Sequence, residues 1–391
     1  MNKPSLLIIG PTPPPFHGVA EATRILLESH IGDSFDLHHL DTSDRRRLDS
    51  INQPDLWDIW LFICQWFKLL TRMLGQKDDL VYLSLSQTSM GFLRDSFFLW
   101  LFFFRGCRVV LHLHGGNFRT WFRGRSMAMQ WYVRLILARI DRMVVLGTAL
   151  RPMFDGLLPS HKIVVVPNGI ALNEMEAVGQ SKPLFDSRSQ RFHLLYLGTL
   201  HKRKGVLRLL KAIPLVLQKY SDVKFIFAGP WSNTADRAEA EEFISHNALL
   251  EHTVFLGQVE GRQKWQILQE ADLFVFPGLQ QEGQPLVVLE AMAAGLAVLT
   301  TDRGCLGETV VDGQTGLVIP EPDHEVLAEK ILWLMKRPDL LKAMGEKGRH
   351  RALHQYTSLH FCLNMEKVFL QVLALSAAKC SQVPGHHESF P

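Results

Sequence analysis

Short apolar runs rich in Val, Ile, Leu and Phe alternate along the chain with longer stretches of helical period. In the first half these runs are SLLIIG (5–10), DLHHLDT (36–42), DLVYLSL (79–85), RVVLHLH (108–114), RMVVLG (142–147) and KIVVVPNG (162–169). A polar stretch without period, EAVGQSKPLFDSRSQ (176–190), then reads as a linker. The series restarts with FHLLYLG (192–198), VKFIFAG (223–229), TVFLG (253–257), LFVFPG (273–278), AVLTTD (297–302) and GLVIP (316–320). Strands that are apolar throughout are buried on both faces, which predicts parallel sheets covered by helices. Two such sets predict an α/β chain of two Rossmann-like domains facing a central cleft, with ligands in that cleft. The expected boundaries are 1–175 for the first domain, 191–355 for the second, 356–378 for a C-terminal helix packing back on the first, and 379–391 for a loose tail.

Bulk properties narrow the class. At 391 residues the chain exceeds what one core usually serves, and 47% hydrophobic with 21% charged residues is ordinary for a globular protein. A net charge of +3 gives no argument for nucleic-acid binding. The cysteines are odd in number, scattered and without a CxxC pair, which fits reduced thiols in a cytosol. The opening MNKPSLLIIGPTPPP lacks the shape of a signal peptide, and no segment reaches the roughly 20 apolar residues of a membrane span. A dehydrogenase is disfavoured, because IIGPTPPPFHG replaces a G-x-G-x-x-G after the first strand.

The stretch EGQPLVVLEAMAAGLAVL (282–299) carries two acids in an apolar setting. Proline belongs in the first turn of a helix, so Pro285 predicts the helix start there, with Glu282 and Gly283 in the loop before it. Glu290 then lies roughly 7–8 Å along the helix at about 1.5 Å per residue. The helix start at Gln284, Pro285 and Leu286 lies between the two acids, and its free N–H groups, proline supplying none, form an anion site. Gly283 lets a ligand approach the backbone. An extended nucleotide-sugar fits this order, with sugar hydroxyls at Glu282, diphosphate at the helix start and ribose diol at Glu290. The plain alternative is that Glu282 complements the helix dipole and Glu290 finds a protein partner.

The Glu-x7-Glu spacing, followed by TTDRGCLGETVVDGQTGLVIP, resembles the retaining glycosyltransferases of family 4, which share the GT-B fold. GTLHKRKGVLRLLKAI (198–213), FIFAGP (225–230), VFLGQV (254–259) and ADLFVFPGLQQEG (271–283) fall in the family's order. The resemblance implies a metal-independent, cofactor-free sugar transfer from a nucleotide-sugar donor to a glycan or lipid-linked acceptor. It places Lys204 on the leaving diphosphate, His114 at the donor sugar, Gly18 in the loop over the donor phosphates and Val259 at the base. For each a plain reading stands beside it: a solvated lysine, a structural histidine, a simple turn, a core valine. The family's phosphate-binding Arg after the first Gly is here Thr199, and Lys202 or Arg203 is the candidate substitute. A non-hydrolysing nucleotide-sugar epimerase and a silent subunit of a glycan-assembly complex are the competing functions. The aromatic runs WDIWLFICQWFKLL (57–70) and FFLWLFFF (97–104) and the arginines of 105–142, Arg119, Arg123 and Arg125 among them, predict peripheral docking on an anionic membrane surface, on the cytoplasmic side.

Overall fold

A computed structural model describes residues 3–43, 56–75, 78–176 and 191–380. The linker expected over 176–190 and the tail over 379–391 fall almost wholly outside these residues. Two six-stranded parallel sheets form the frame. The first has the order β2-β1-β3-β4-β5-β6, from β1 (Ser5–Gly10), β2 (Asp36–Asp41), β3 (Leu80–Ser84), β4 (Arg108–Leu113), β5 (Arg142–Val145) and β6 (Ile163–Val165). The second has the order β12-β11-β10-β7-β8-β9, from β7 (Phe192–Leu197), β8 (Val223–Ala228), β9 (Thr253–Gly257), β10 (Leu273–Phe276), β11 (Ala297–Thr301) and β12 (Gly316–Ile319). Central strands such as LVYLS and LFVF are buried at nearly every position, which the helices on both faces require.

In each sheet the strand order reverses once, between β1 and β3 and between β7 and β10. Loops diverge at such a point and leave a crevice beyond the strand ends. The loop after β7 carries Lys204 and the loop after β10 carries Glu282, so one crevice receives both.

The chain returns to the first domain at its end. Ile170 N–H donates to the Tyr356 carbonyl at 2.9 Å, and Ser358 N–H donates back to the Ile170 carbonyl at 2.9 Å. Helix Ser358–Cys380 then buries Phe361, Met365, Val368, Phe369 and Val372 against Leu6, Ile8, Tyr82 and Val110 of the first sheet. Their spacing puts them on one helical face.

The two aromatic runs are helices Leu56–Gly75 and Ser89–Arg105. Each buries one face and exposes the other: Phe98, Leu99 and Phe102 are fully buried, while Phe97 is 53% and Phe104 82% exposed. Among the described residues no helix is long and apolar enough to cross a membrane.

Candidate active site

The C-terminal wall of the cleft is built on close backbone approaches. Gly205 has φ +82°, and a Cβ there would lie 1.9 Å from the Pro277 carbonyl oxygen. Only glycine fits, and the contact presses the turn Lys202–Lys204 onto the loop that follows β10. Lys204 Nζ consequently meets both Glu282 oxygens, at 2.7 and 2.6 Å. Glu282 is 6% exposed, so its charge is compensated by an ion pair inside the protein. Lys202 and Arg203, the candidate substitutes for the missing arginine, do not line the cleft, whereas Thr199 does. The short turn points those two side chains outward, with Lys202 lying 4.0 Å from Asp236.

Helix Leu286–Ala293 starts after Pro285, in the extended conformation of an N-cap. Glu290 lies on its buried face, where Oε1 accepts from Lys264 Nζ at 2.6 Å. The other oxygen, Oε2, is shielded from solvent and has no hydrogen-bond partner among the described residues. A buried carboxylate oxygen in this state costs free energy until a donor reaches it. Lys264 is the functional candidate that sequence reasoning missed. It sits in the first turns of helix Gly261–Glu270, in a polar segment whose pattern gives no reason to prefer it over Lys202 or Arg203.

The N-terminal wall is different in kind. His17 Nδ1 accepts the Ala20 N–H at 3.3 Å and caps helix Gly18–Leu27. His114 follows β4, and neither of its ring nitrogens has a partner among the described residues. Burial, reinforced by the neighbouring His17, pushes its pKa down to about 3, which keeps the imidazole neutral. Its ring lies 3.9 Å, centroid to centroid, from that of His112. His112 is fully buried, and its Nδ1 lies 2.8 Å from the Tyr82 hydroxyl.

The two walls touch at the loops that follow β4 and β10. A Cβ on Gly283 would lie 1.9 Å from the His114 carbonyl oxygen, and one on Gly116 2.6 Å from the Gln281 carbonyl oxygen. Asn168 donates its amide N–H to Gln284 Oε1 at 2.7 Å and its side-chain N–H to the Gln284 carbonyl at 2.8 Å. The carboxylate of Glu308 accepts the N–H groups of Thr148 and Ala149, each at 3.1 Å. From the sequence Asn168 could equally be a plain turn residue and is not counted in the site; its role as an inter-domain tie depends on a partner more than a hundred positions away.

One cavity of about 2410 Å³ runs between the walls. It is lined by Gly18 and His114 from the first domain and by Lys204, Val259, Glu282, Gly283, Gln284, Pro285, Leu286 and Glu290 from the second. These ten residues, each assigned to the site from the sequence, therefore line the same space, while Lys202 and Arg203 do not. Val259, at 8% exposure, is both a core residue and part of that lining. Among the described residues no group of three or more His, Cys, Asp and Glu side chains is placed to hold a metal ion.

Residues 181–351 match the family described as glycosyl transferases group 1. Among curated proteins, the chain is 28% identical over 227 residues to a phosphatidyl-myo-inositol mannosyltransferase of Mycobacterium leprae, covering 58% of this chain and 56% of that one. It is also 28% identical over 226 residues to the lipopolysaccharide 1,2-N-acetylglucosaminetransferase of Salmonella typhimurium, covering 56% and 57%. The chain thus spans about half the length of the curated relatives it matches. Among solved structures, sucrose-phosphate synthase from Thermosynechococcus elongatus superposes with a TM-score of 0.72 at 16% identity, covering 95% of this chain and 100% of that one. Anabaena HepE in complex with UDP and glucose gives a TM-score of 0.70 at 16% identity, covering 93% and 99%.

Proposed function

We propose that this chain, whose residues 181–351 match the glycosyl transferases group 1 family and whose fold is of the GT-B kind, moves a sugar from a nucleotide-sugar donor to a glycan or lipid-linked acceptor in glycan assembly. The observation that carries the proposal is the half-satisfied Glu290. One of its oxygens is held by Lys264 and the other is left without a donor, on the cleft that also holds the Lys204–Glu282 pair. A ribose diol supplies the missing donor. The diphosphate then lies near Lys204 and the start of helix Leu286–Ala293, and the sugar reaches Glu282 and His114.

In this reading Lys204 compensates charge that grows on the leaving diphosphate, an interaction stronger in the transition state than in the ground state. Donor binding redistributes the Lys204–Glu282 pair: phosphate takes the ammonium and sugar hydroxyls take the carboxylate. Neutral His114 can donate or accept a hydrogen bond at the sugar without adding charge. Taken up by sugar hydroxyls, the Glu282 carboxylate orients the sugar and does not act as a nucleophile, and the reaction follows same-face attack with retention, the leaving diphosphate helping to take the acceptor's proton. No metal or cofactor is assigned a role.

The names of the two relatives support a membrane-borne acceptor, and we place the protein peripherally on an anionic membrane surface at the cytoplasmic side. Arg123 and Arg125 are exposed there beside Met127 and Trp131. Sedimentation with anionic liposomes should fall with salt and with Arg119, Arg123 and Arg125 changed to Glu. The transfer reading is tested by a thermal-shift panel of UDP-, GDP- and ADP-sugars, followed by NMR of the product's anomeric proton. A donor at about 100 times its Kd stabilises the fold by roughly 2.7 kcal/mol. Absence of any shift across the panel, or an isomerised donor instead of a transferred sugar, would remove the proposal.

A further inference from the structure

We propose that the cleft has an apolar arm on its N-terminal side that holds a hydrocarbon chain, and that the acceptor of the reaction read above is therefore lipid-linked. The lining of the cavity does not stop at His114. It continues past Leu85, Ser86 and Gln87 to Met90, Leu93 and Phe97 of helix Ser89–Arg105 and to Leu61, Phe62 and Gln65 of helix Leu56–Gly75.

The arm begins at the reacting end of the cleft. Gln87 Oε1 accepts the Asn117 N–H at 3.2 Å, and a Cβ on Gly115 would strike the Gln87 side chain at 2.0 Å. Gln87 is thus seated on the turn that follows His114, and the helix bearing the arm starts two residues later. Along that helix Met90 is 61% and Phe97 53% exposed, although both are large and apolar. They are two turns apart, roughly 10 Å at about 1.5 Å per residue. The opposing wall is in contact: the Phe62 ring centroid lies 5.9 Å from that of Phe97 and 5.8 Å from that of Phe98.

Three features select a hydrocarbon chain. Small-molecule sites usually occupy about 300–1,000 Å³, so 2410 Å³ leaves room beyond a donor. Arg94, the cation on this arm, is committed to Asp95 at 2.8 Å and to the Ser86 hydroxyl at 3.2 Å. Beyond the arm helix Leu56–Gly75 stays apolar on its outside, with Trp60 52%, Ile63 44% and Phe67 56% exposed. Contiguous exposed apolar surface of this kind marks an interaction site. A chain laid along Met90, Leu93 and Phe97, with Phe62 closing its far side, keeps its near end beside His114 and points its far end toward this apolar face.

The test uses the full chain and farnesyl phosphate, a single-chain isoprenyl phosphate kept below its aggregation threshold, with binding followed by equilibrium dialysis. Saturable binding is expected, weakened at least tenfold by Met90→Asp and by Phe97→Asp. Both side chains are already exposed, so neither change should unfold the protein. Phe104→Asp is the control: Phe104 is 82% exposed on the same helix, two turns beyond Phe97, and does not line the cavity. Its substitution should leave farnesyl phosphate binding unchanged. No saturable binding, or equal losses in Phe97→Asp and Phe104→Asp, would overturn the arm. Nucleotide-sugar thermal shifts on the same samples separate the two readings. Donor stabilisation without farnesyl phosphate binding defeats the arm alone, and farnesyl phosphate binding without any donor stabilisation defeats the transfer reading alone.

Discussion

The two walls of the cleft solve opposite electrostatic problems. The C-terminal wall holds formal charges in pairs, Lys204 on Glu282 and Lys264 on Glu290, each closed to 2.6 Å. The N-terminal wall presents a histidine kept neutral by burial, with no partner on either ring nitrogen among the described residues, and then turns apolar toward Phe97. Paired charges are an arrangement that an anionic ligand can redistribute without changing the net charge of the site. A neutral, partly apolar wall adds no formal charge to the cleft and offers hydrogen bonds and apolar contact to uncharged groups. On the proposed function, the contrast gives the charged donor groups chiefly to the second domain and the acceptor to the first, with His114 and Gly18 meeting the donor from the first domain's side.

The strongest way to break this division is to remove a charge pair as a unit. Lys204→Met alone leaves Glu282 buried without its counter-ion and should cost about 3–5 kcal/mol in urea unfolding. Lys204→Met with Glu282→Leu restores an apolar contact and should recover most of that loss. Sugar transfer by this double variant should still fall at least about a hundredfold, the scale seen when one charge-stabilising group is deleted. Near wild-type turnover would mean the pair is architectural. A smaller effect is expected at the other pair. Glu290→Gln keeps size and shape but weakens the acceptor, so affinity for the free nucleoside diphosphate should drop by about ten- to a hundredfold, one to two steps of 1.4 kcal/mol. Isothermal titration reads it directly, and unchanged affinity would detach Glu290 from the ribose.

The contrast also explains what was legible in the sequence. The two-sheet α/β frame follows from the repeated alternation of short apolar runs with helical stretches, because parallel strands buried on both faces leave such runs. Pro285 marked the helix start, and it makes Glu282 and Glu290 readable as lying on either side of a backbone anion site. Lys204 was legible only through the resemblance of its Lys-Gly turn to the family's, and the structure adds that Gly205, left-handed against Pro277, seats that turn on the cleft. Lys264 was not readable, since its role comes from Glu290 on a separate helix 26 positions away. The same holds for Asn168, tied to Gln284 across 116 positions. The aromatic runs were legible as apolar but not as two-faced: Phe97 and Phe98 are neighbours, one 53% exposed and one fully buried, and only the packed helix separates them.

On the neutral wall the prediction concerns pH. The unfolded chain takes up a proton at each histidine as pH falls below the ordinary 6.5, whereas the folded His114 does so only near 3, and burial lowers His112 and His17 as well. The unfolded state therefore binds more protons in this window, and stability drops as pH falls from 6.5 toward 3. The slope is up to about 1.4 kcal/mol per pH unit for each such group. Between pH 6.5 and 5, His114→Asn should remove roughly 2 kcal/mol of the decline measured by urea unfolding. An identical decline in both proteins would show that His114 is protonated in the fold, and the neutral wall would be lost.

The smallest effect is expected at Gly18, and it separates backbone room kept for protein from room kept for ligand. Gly283 has its Cβ direction filled by the other domain, at the His114 carbonyl oxygen. At Gly18 the nearest atom to an added Cβ is Leu286 Cδ1 at 3.9 Å, an ordinary contact, and the residue opens helix Gly18–Leu27 without a left-handed φ. Protein packing thus gives no reason for glycine there. Gly18→Ala should leave stability unchanged or raise it by up to about 1 kcal/mol, because alanine loses less conformational entropy in a helix. If the bare backbone is what a donor phosphate approaches, the same methyl should weaken nucleotide-sugar binding by roughly three- to tenfold, a cost near 1 kcal/mol. Thermal unfolding with and without donor reads both quantities on one sample. Unchanged stability together with unchanged donor affinity would take Gly18 off the donor and leave the phosphates to the C-terminal wall alone.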